Sequence, residues 1–393
     1  MRALKLLGCL VLLALLAAGA GGWWAWSTLH RPHGTGTREV LIEPGADAGT
    51  ILELLERRGI LPNARLARAW LVYGMDDPPL HAGEYRFEGP RTTVEVLETL
   101  ARGEVLLRQV TVIEGLTLEE TARGLAEAGF GREDAFLAAM RDPAPIAGLD
   151  PEAETLEGYL LPETYSFVRG ASEREIVATM VRTFREALER EVRPLLGERL
   201  AVPGPEEPPP RPLDSARGDK EKEEGRGDQE TGRGGMGGGS GPGGRSWTVR
   251  ELVTLASLVE KEAKVDEERP LVAAVYVNRL DAGMGLYADP TVIYALKRRD
   301  AWDGNLSRQH LELDSPYNTY RYGGLPPGPI ASPGLESLRA AAEPADVPHL
   351  YFVSRNDGTH VFARTLREHN ANVRRWQKEY WRKRWAEQRA APD

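Results

Sequence analysis

The chain has 393 residues, 41% of them hydrophobic, and a formal net charge of −9. That length exceeds one ordinary hydrophobic core and implies two domains with additions, while the acidic balance argues against nucleic acid as the main ligand. The single cysteine, Cys9, lies in the first apolar run, so the remainder offers no intrachain disulfide and no thiolate metal site.

Arg2 and Lys5 precede an apolar run from Leu6 to Trp26, 21 residues, long enough to cross a hydrocarbon core of about 30 Å. The charge bias puts the amino terminus in the cytoplasm and the rest outside it, with Trp23, Trp24 and Trp26 at the level of an aromatic belt. A cleaved signal peptide is the rival, with Ala17 to Ala20 as the small-residue site. The apolar run continues through the tryptophans, which favours an uncleaved anchor over residues 1–27. Next, EVLIE (39–43) reads as a strand, Thr50 to Arg58 as an amphipathic helix ending at Gly59, Asn63 as the cap of a second helix, and EYRF (84–87) as a second strand. This βααβ order, in a domain over 38–107, resembles the LysM glycan-binding module. Thr93 to Arg102 supplies another helix, closed by Gly103, and 105–113 reads as one long strand.

A domain segment over 108–202 follows, with helices after Glu114 and near 133–140. In LEGYLLPETYSF (156–167), Pro162 excludes a long helix and points to a buried loop or bent strand. Residues 171–196 read as one long amphipathic brace. Residues 203–246 are Pro-rich, then mixed-charge, then Gly-rich, with almost no large apolar residue, and are expected to be a disordered insertion. No GK[ST] follows its glycines, as a phosphate loop requires.

The segment over 247–393 opens on TVRELVTLASLVEKEAK (248–264). Thr248 and Glu251 form a capping box that sets the helix start. On a helical wheel, Val249, Leu252, Val253, Ala256, Val259 and Ala263 share an arc, with Glu260 at one margin and Glu262 roughly 160° round at the other. The two carboxylates cannot serve one site. Helices over 268–280 and 290–297 follow, then SPYNTYRYGGLPPGPIASP (315–333), too rich in Gly and Pro for regular structure and too aromatic for an idle linker. A helix over 335–342, a hairpin turning at Asn356-Asp357-Gly358, and a terminal helix over 365–384 complete the chain. The fold class is therefore α+β. In the tail, RRWQKEYWRKRWAEQR (374–389) either meets an anionic surface or packs its aromatics on the domain.

A carboxylate among apolar residues is disfavoured in its charged form, which suits acid catalysis at a glycosidic oxygen. Glu260 and Glu262 have equal claims on these grounds, and spacing singles out no second acid among Asp289, Asp314, Glu267 and Glu268. The histidines show no HExxH spacing, and no G-x-S-x-G occurs in an ordered segment, so no metal, no cofactor and no serine nucleophile is expected.

Taken together, LEGYLLPETYSF, LASLVEKEAKVDEERPLVAAVYVNRL, LYADPTVIY, SPYNTYRYGGLPPGPIASPG and YFVSRNDGTHVFARTLREHN resemble the YceG-like (MltG) family of membrane-anchored endolytic murein transglycosylases. The resemblance runs from about Val40 to Trp376 outside the insertion. It implies a single-pass anchor in the bacterial inner membrane, a LysM-like domain and an extracytoplasmic α+β catalytic domain acting on nascent peptidoglycan strands. The implied reaction cuts between N-acetylmuramic acid and N-acetylglucosamine without water and leaves 1,6-anhydro ends, so one acid is enough. The family's catalytic glutamate, taken as the first of V-E-K-E, lands on Glu260, leaving Glu262 non-catalytic. Context suggests Asp289, Tyr294, Tyr317, Asn318 and Thr319 as sugar contacts, and glycan polymerases as partners. The alternative is a non-catalytic, membrane-anchored scaffold that binds peptidoglycan without needing Glu260.

Overall fold

The computed structural model describes residues 2–200 and 245–382, with the backbone alone for 2–9. The inserted run as far as 244 and the last residues of the basic tail therefore fall outside the described residues, while Arg245, expected in that run, pairs with Asp281. Helix α1 (Arg2–His30) contains a segment, Leu10–His30, long and apolar enough to cross a membrane. Its leucines from Leu10 to Leu16 are exposed.

Two compact units divide the chain: residues up to 109 together with 166–171, and 110–165 together with 172 onward. In the first, β1 (Thr37–Ile42) leads to α2 (Ala48–Arg57) and α3 (Ala64–Gly74), and the chain returns as β2 (Gly83–Glu88). Strands β1 and β2 pair antiparallel from Thr37↔Glu88 to Ile42↔Gly83. Their inward residues Val40, Ile42 and Tyr85 join Ile51, Leu55 and Leu71 in one core. Asp47 and Asn63 cap α2 and α3 by accepting from Thr50 N and Leu66 N. Helix α4 (Thr93–Arg102) adds Val96, Leu97 and Leu100 to that core and ends at Gly103 in the left-handed region.

Strand β3 (Leu107–Thr111) is shorter than the 105–113 run expected and pairs with β4 (Thr164–Val168). Its ends leave the ladder because Val105 N turns back to Gly103 O and Ile113 faces solvent. Helices α5 (Leu118–Glu127) and α6 (Glu133–Met140) follow. The expected brace is broken: α7 (Glu173–Ala187) passes through a wide π-turn, Leu188–Val192, into α8 (Arg193–Leu196). Pro194 has no N–H to offer the preceding turn, which accounts for the change of winding.

The second unit is built around α9 (Val249–Glu262), which begins at the Thr248–Glu251 capping box. The expected arc does not describe it, because every residue from Leu252 to Val259 is buried. Helices α10 (Arg269–Asp281), α11 (Asp289–Lys297) and α12 (Leu335–Ala342) enclose it on several sides. Each fully buried Leu or Val contributes about 1.5–3 kcal/mol, so α9 is the unit's main apolar anchor. The buried loop 156–161 presses on it at Gly158, whose φ of +84° and lack of Cβ let Pro329 and Val253 approach. Strands β5 (Tyr351–Ser354) and β6 (His360–Ala363) form the carboxy-terminal hairpin. Helix α13 (Leu366–Val373) then passes through a π-turn, Arg374–Glu379, in place of the uniform helix expected. Arg355 and Arg375 lie over Trp376, and Asn356 Nδ2 donates to Trp376 O at 2.6 Å, so this stretch packs on the hairpin.

Candidate active site

Both candidate acids project from the last turn of α9, into different surroundings. Glu260 Oε2 accepts three hydrogen bonds: from Arg269 Nη1 (3.0 Å), Gly334 N (3.0 Å) and Ser337 Oγ (2.8 Å). Its side chain is 7% exposed and that of Arg269 is 8% exposed, so this is a buried ion pair. Arg269 also holds Asp266 (2.9 Å) and lies 3.6 Å from Glu114. Burial, and then the charge of Glu260, raises the Glu114 carboxyl above its ordinary value. The Glu114 carboxyl lies over Gly334, so a Cβ there would displace that side chain from the cluster. The cluster ties α9, α10 and α12 together.

Two residues on, Glu262 is half-buried and enters a different environment. Tyr276 Oη, from α10, donates to its Oε1 at 3.4 Å. Burial, with the charge of Asp289 nearby, pushes the Glu262 carboxyl up to about 7. Asp289, at the start of α11, accepts from Tyr320 Oη at 2.5 Å. Glu262 lines a cavity of about 390 Å³ with Lys264, Ser354, Asn356, His360 and Trp381. His360 is oriented from behind by Glu268, whose Oε2 lies 2.7 Å from His360 Nδ1. A carboxyl that titrates near neutrality and opens on a polar, aromatic cavity can both give and take a proton at a bound ligand.

The expected sugar contacts are dispersed. Asp289 belongs to the Glu262 cluster. Tyr294 and Tyr317, ring centroids 5.0 Å apart, line a separate cavity with Glu157. Asn318 and Thr319 are buried and committed to the loop: Asn318 Nδ2 donates to Leu311 O and Leu313 O, and Thr319 Oγ1 accepts from Ala288 N. The model for the YceG-like family matches residues 40–375.

The chain belongs to the YceG-like family.

A curated relative from Bacillus subtilis, named endolytic murein transglycosylase, is 27% identical over 85% of this chain and 83% of its own. A Streptococcus pneumoniae protein of the same name is 26% identical over 93% of this chain, which spans 63% of the pneumococcal protein's length. A crystal structure of a yceG-like protein from Listeria monocytogenes aligns at a TM-score of 0.51 and 27% identity, covering 86% of this chain and 98% of that one.

Within this YceG-like chain, Glu262 and Glu260 have equal physical standing by helix position alone, and only contacts from outside α9 separate them. Tyr276 reaches Glu262 from α10, and His360 and Trp381 reach the cavity from the hairpin and the tail, so nothing local to α9 marks them as its neighbours. Glu157 was visible as the one acid inside an otherwise apolar run, LEGYLL, which is a usable sign of a buried carboxyl.

Proposed function

We propose that the protein is an endolytic peptidoglycan lytic transglycosylase, a lyase that cuts the glycan between N-acetylmuramic acid and N-acetylglucosamine and leaves 1,6-anhydro ends. Membership of a family whose curated relatives carry that enzyme name supports the reaction class. The acid is Glu262 rather than the expected Glu260, and one observation carries this choice. Glu262 titrates near 7 beside an open cavity, whereas Glu260 is engaged by Arg269 and by donors from the start of α12.

In this reading Glu262, protonated, gives its proton to the leaving glycosidic oxygen. The resulting carboxylate then takes the proton of the muramyl 6-hydroxyl as that oxygen closes on its own anomeric carbon. Atoms and protons balance without water, and holding the hydroxyl close to the carbon supplies the proximity advantage of an intramolecular step. Burial and then the charge of Asp289 raise the Glu262 pKa against the hydrogen bond from Tyr276, and Trp381 lines the cavity beside it.

Around this site the reading extends to the rest of the chain. The α1 segment is a single-pass anchor that holds the catalytic unit on the outer side of the bacterial inner membrane. The βααβ arrangement of the first unit acts as a LysM-like glycan-binding module, and glycan polymerases are partners at the membrane. The deciding experiment incubates purified glycan strands with wild type, Glu262→Gln and Glu260→Gln, and reads strand ends by mass spectrometry. Anhydro-muramyl ends from wild type and Glu260→Gln but not from Glu262→Gln support the assignment. Ends from Glu262→Gln at the wild-type rate would sink it, and reducing ends from wild type would make the enzyme a hydrolase.

A further inference from the structure

A second cavity in the catalytic unit, about 590 Å³, shares no lining residue with the one at Glu262. It is walled by residues 153–159, by Tyr317 and Pro327–Pro329 of the Pro-Gly loop, and by Arg250 near the start of α9. From Arg250 to Glu262 the helix rises about 18 Å, so the two cavities lie toward opposite ends of α9.

Glu157 forms the polar centre of this cavity. It is 6% exposed, and its Oε2 accepts from Tyr294 Oη (3.2 Å) and Leu118 N (3.4 Å). Its Oε1 is buried with no hydrogen-bond partner, and a buried polar atom left in that state costs about 1–3 kcal/mol. Burial, and then the charge of Glu119, pushes the carboxyl up to about 8, so it is an uncharged acid at neutral pH. Because both internal donors point at Oε2, the proton belongs on Oε1, which makes that oxygen a donor awaiting an acceptor. Arg298 lies over the Tyr317 ring at 5.4 Å and, among the described residues, has no carboxylate partner. Arg250, in contrast, is neutralised by Asp150 at 3.0 Å. The cavity thus combines aromatic surface with unsatisfied donors and little net charge. That suits a neutral ring bearing acceptor oxygens, above all an acetamido carbonyl.

We propose that this cavity is a second saccharide site, holding an N-acetylated sugar of the glycan strand away from the bond cut at Glu262, with Glu157 Oε1 donating to the acetamido oxygen. This rests on the reading of the substrate as peptidoglycan. It adds that the strand is gripped at two places along α9, which favours cutting within a strand over trimming its end.

The test measures binding of an N-acetylglucosamine tetramer to the full chain in detergent micelles by calorimetry, with Glu262→Gln as background so that nothing is cleaved. Tyr317→Leu and Glu157→Leu are expected to weaken binding about tenfold or more, whereas Glu157→Gln, whose amide keeps a donor at that position, binds like its parent. As pH rises through about 8 the parent loses the Oε1 proton and its affinity, and the Glu157→Gln form does not. The other charged groups around Glu157 are Glu119 and Glu120 on α5, Arg298 near the end of α11, Arg250 on α9, and Arg141, Asp150 and Glu154 on the wall opposite, none of which is altered between these two proteins.

Three results overturn the proposal: no tetramer binding at millimolar concentration, binding abolished by Trp381→Ala but unaffected by Tyr317→Leu, or displacement of the tetramer by free stem peptide. None of them touches the assignment of the reaction, which stands or falls on anhydro ends. A Glu157→Leu chain that fails to fold leaves Tyr317→Leu and the pH comparison to decide.

Discussion

Glu260 and Glu262 are separated by one lysine on one helix, yet they belong to regions with opposite demands. The Glu260 region is closed: an arginine from α10 and a backbone N–H and a hydroxyl from the start of α12 converge on one carboxylate oxygen. The Glu262 region is unfinished, with a tyrosine on one oxygen, burial and then an aspartate raising its pKa, and a cavity in front. Stability is invested where a charge is fully partnered, and reactivity appears where a carboxyl is kept short of partners.

The widest separation between the two regions is expected in catalysis. Glu262→Gln should lower the rate of anhydro-end formation about 10²–10⁴-fold, the usual worth of a positioned general acid. A larger loss from Glu260→Gln, measured on protein verified as folded, would reverse the comparison. Next comes the ion pair. Arg269→Met leaves Glu260 buried without its cation and should cost about 3–5 kcal/mol in urea unfolding. A cost under about 1 kcal/mol would mean that the cluster does not hold α9, α10 and α12 together.

A third test uses the sign of the effect. The folded-state pKa of Glu262 is raised from 4.5 to about 7, so the native state holds a proton that the unfolded chain releases, and stability falls as pH rises through that window. Glu262→Gln removes this penalty and should stabilise the protein by about 1–2 kcal/mol above neutrality, while Glu260→Gln destabilises it. Activity should decline over the same alkaline limb, because the acid form of Glu262 disappears. An unchanged rate well above pH 7 would exclude it as the proton donor. The smallest effect concerns the shared helix: Thr248→Ala should cost about 1 kcal/mol through the lost cap, without changing which glutamate is reactive.

Much of this was legible in the residues. The capping box placed the start of α9 correctly, and Asn63, Gly103 and the Asn356-Asp357-Gly358 turn marked their elements, because such signals act within a few residues. Periodicity failed on α9 itself, since a helix buried on all sides has no polar face to betray its orientation. It also missed the break at Leu188–Val192, where Pro194 acts one turn ahead of itself. The choice between the two acids could not be read from α9, because what distinguishes them arrives from Arg269, Tyr276 and Asp289. Asn318 and Thr319 looked like ligand contacts for the same reason in reverse: a polar residue in a Gly- and Pro-rich loop is as readily used to hold the loop as to meet a sugar.

One feature at the entrance to α9 bears on how such a chain can change over time. Leu200 and Trp247 form a parallel bridge, with Trp247 N donating to Arg199 O at 2.7 Å, and both side chains are buried. The bridge holds Leu200 and Trp247 side by side, so the chain leaves and returns through one fixed doorway just ahead of α9. Because this bridge and the α9 cap at Thr248, three residues from Arg245, are built entirely from residues on either side of 201–244, a change in the length of that segment should leave the start of α9 where it is.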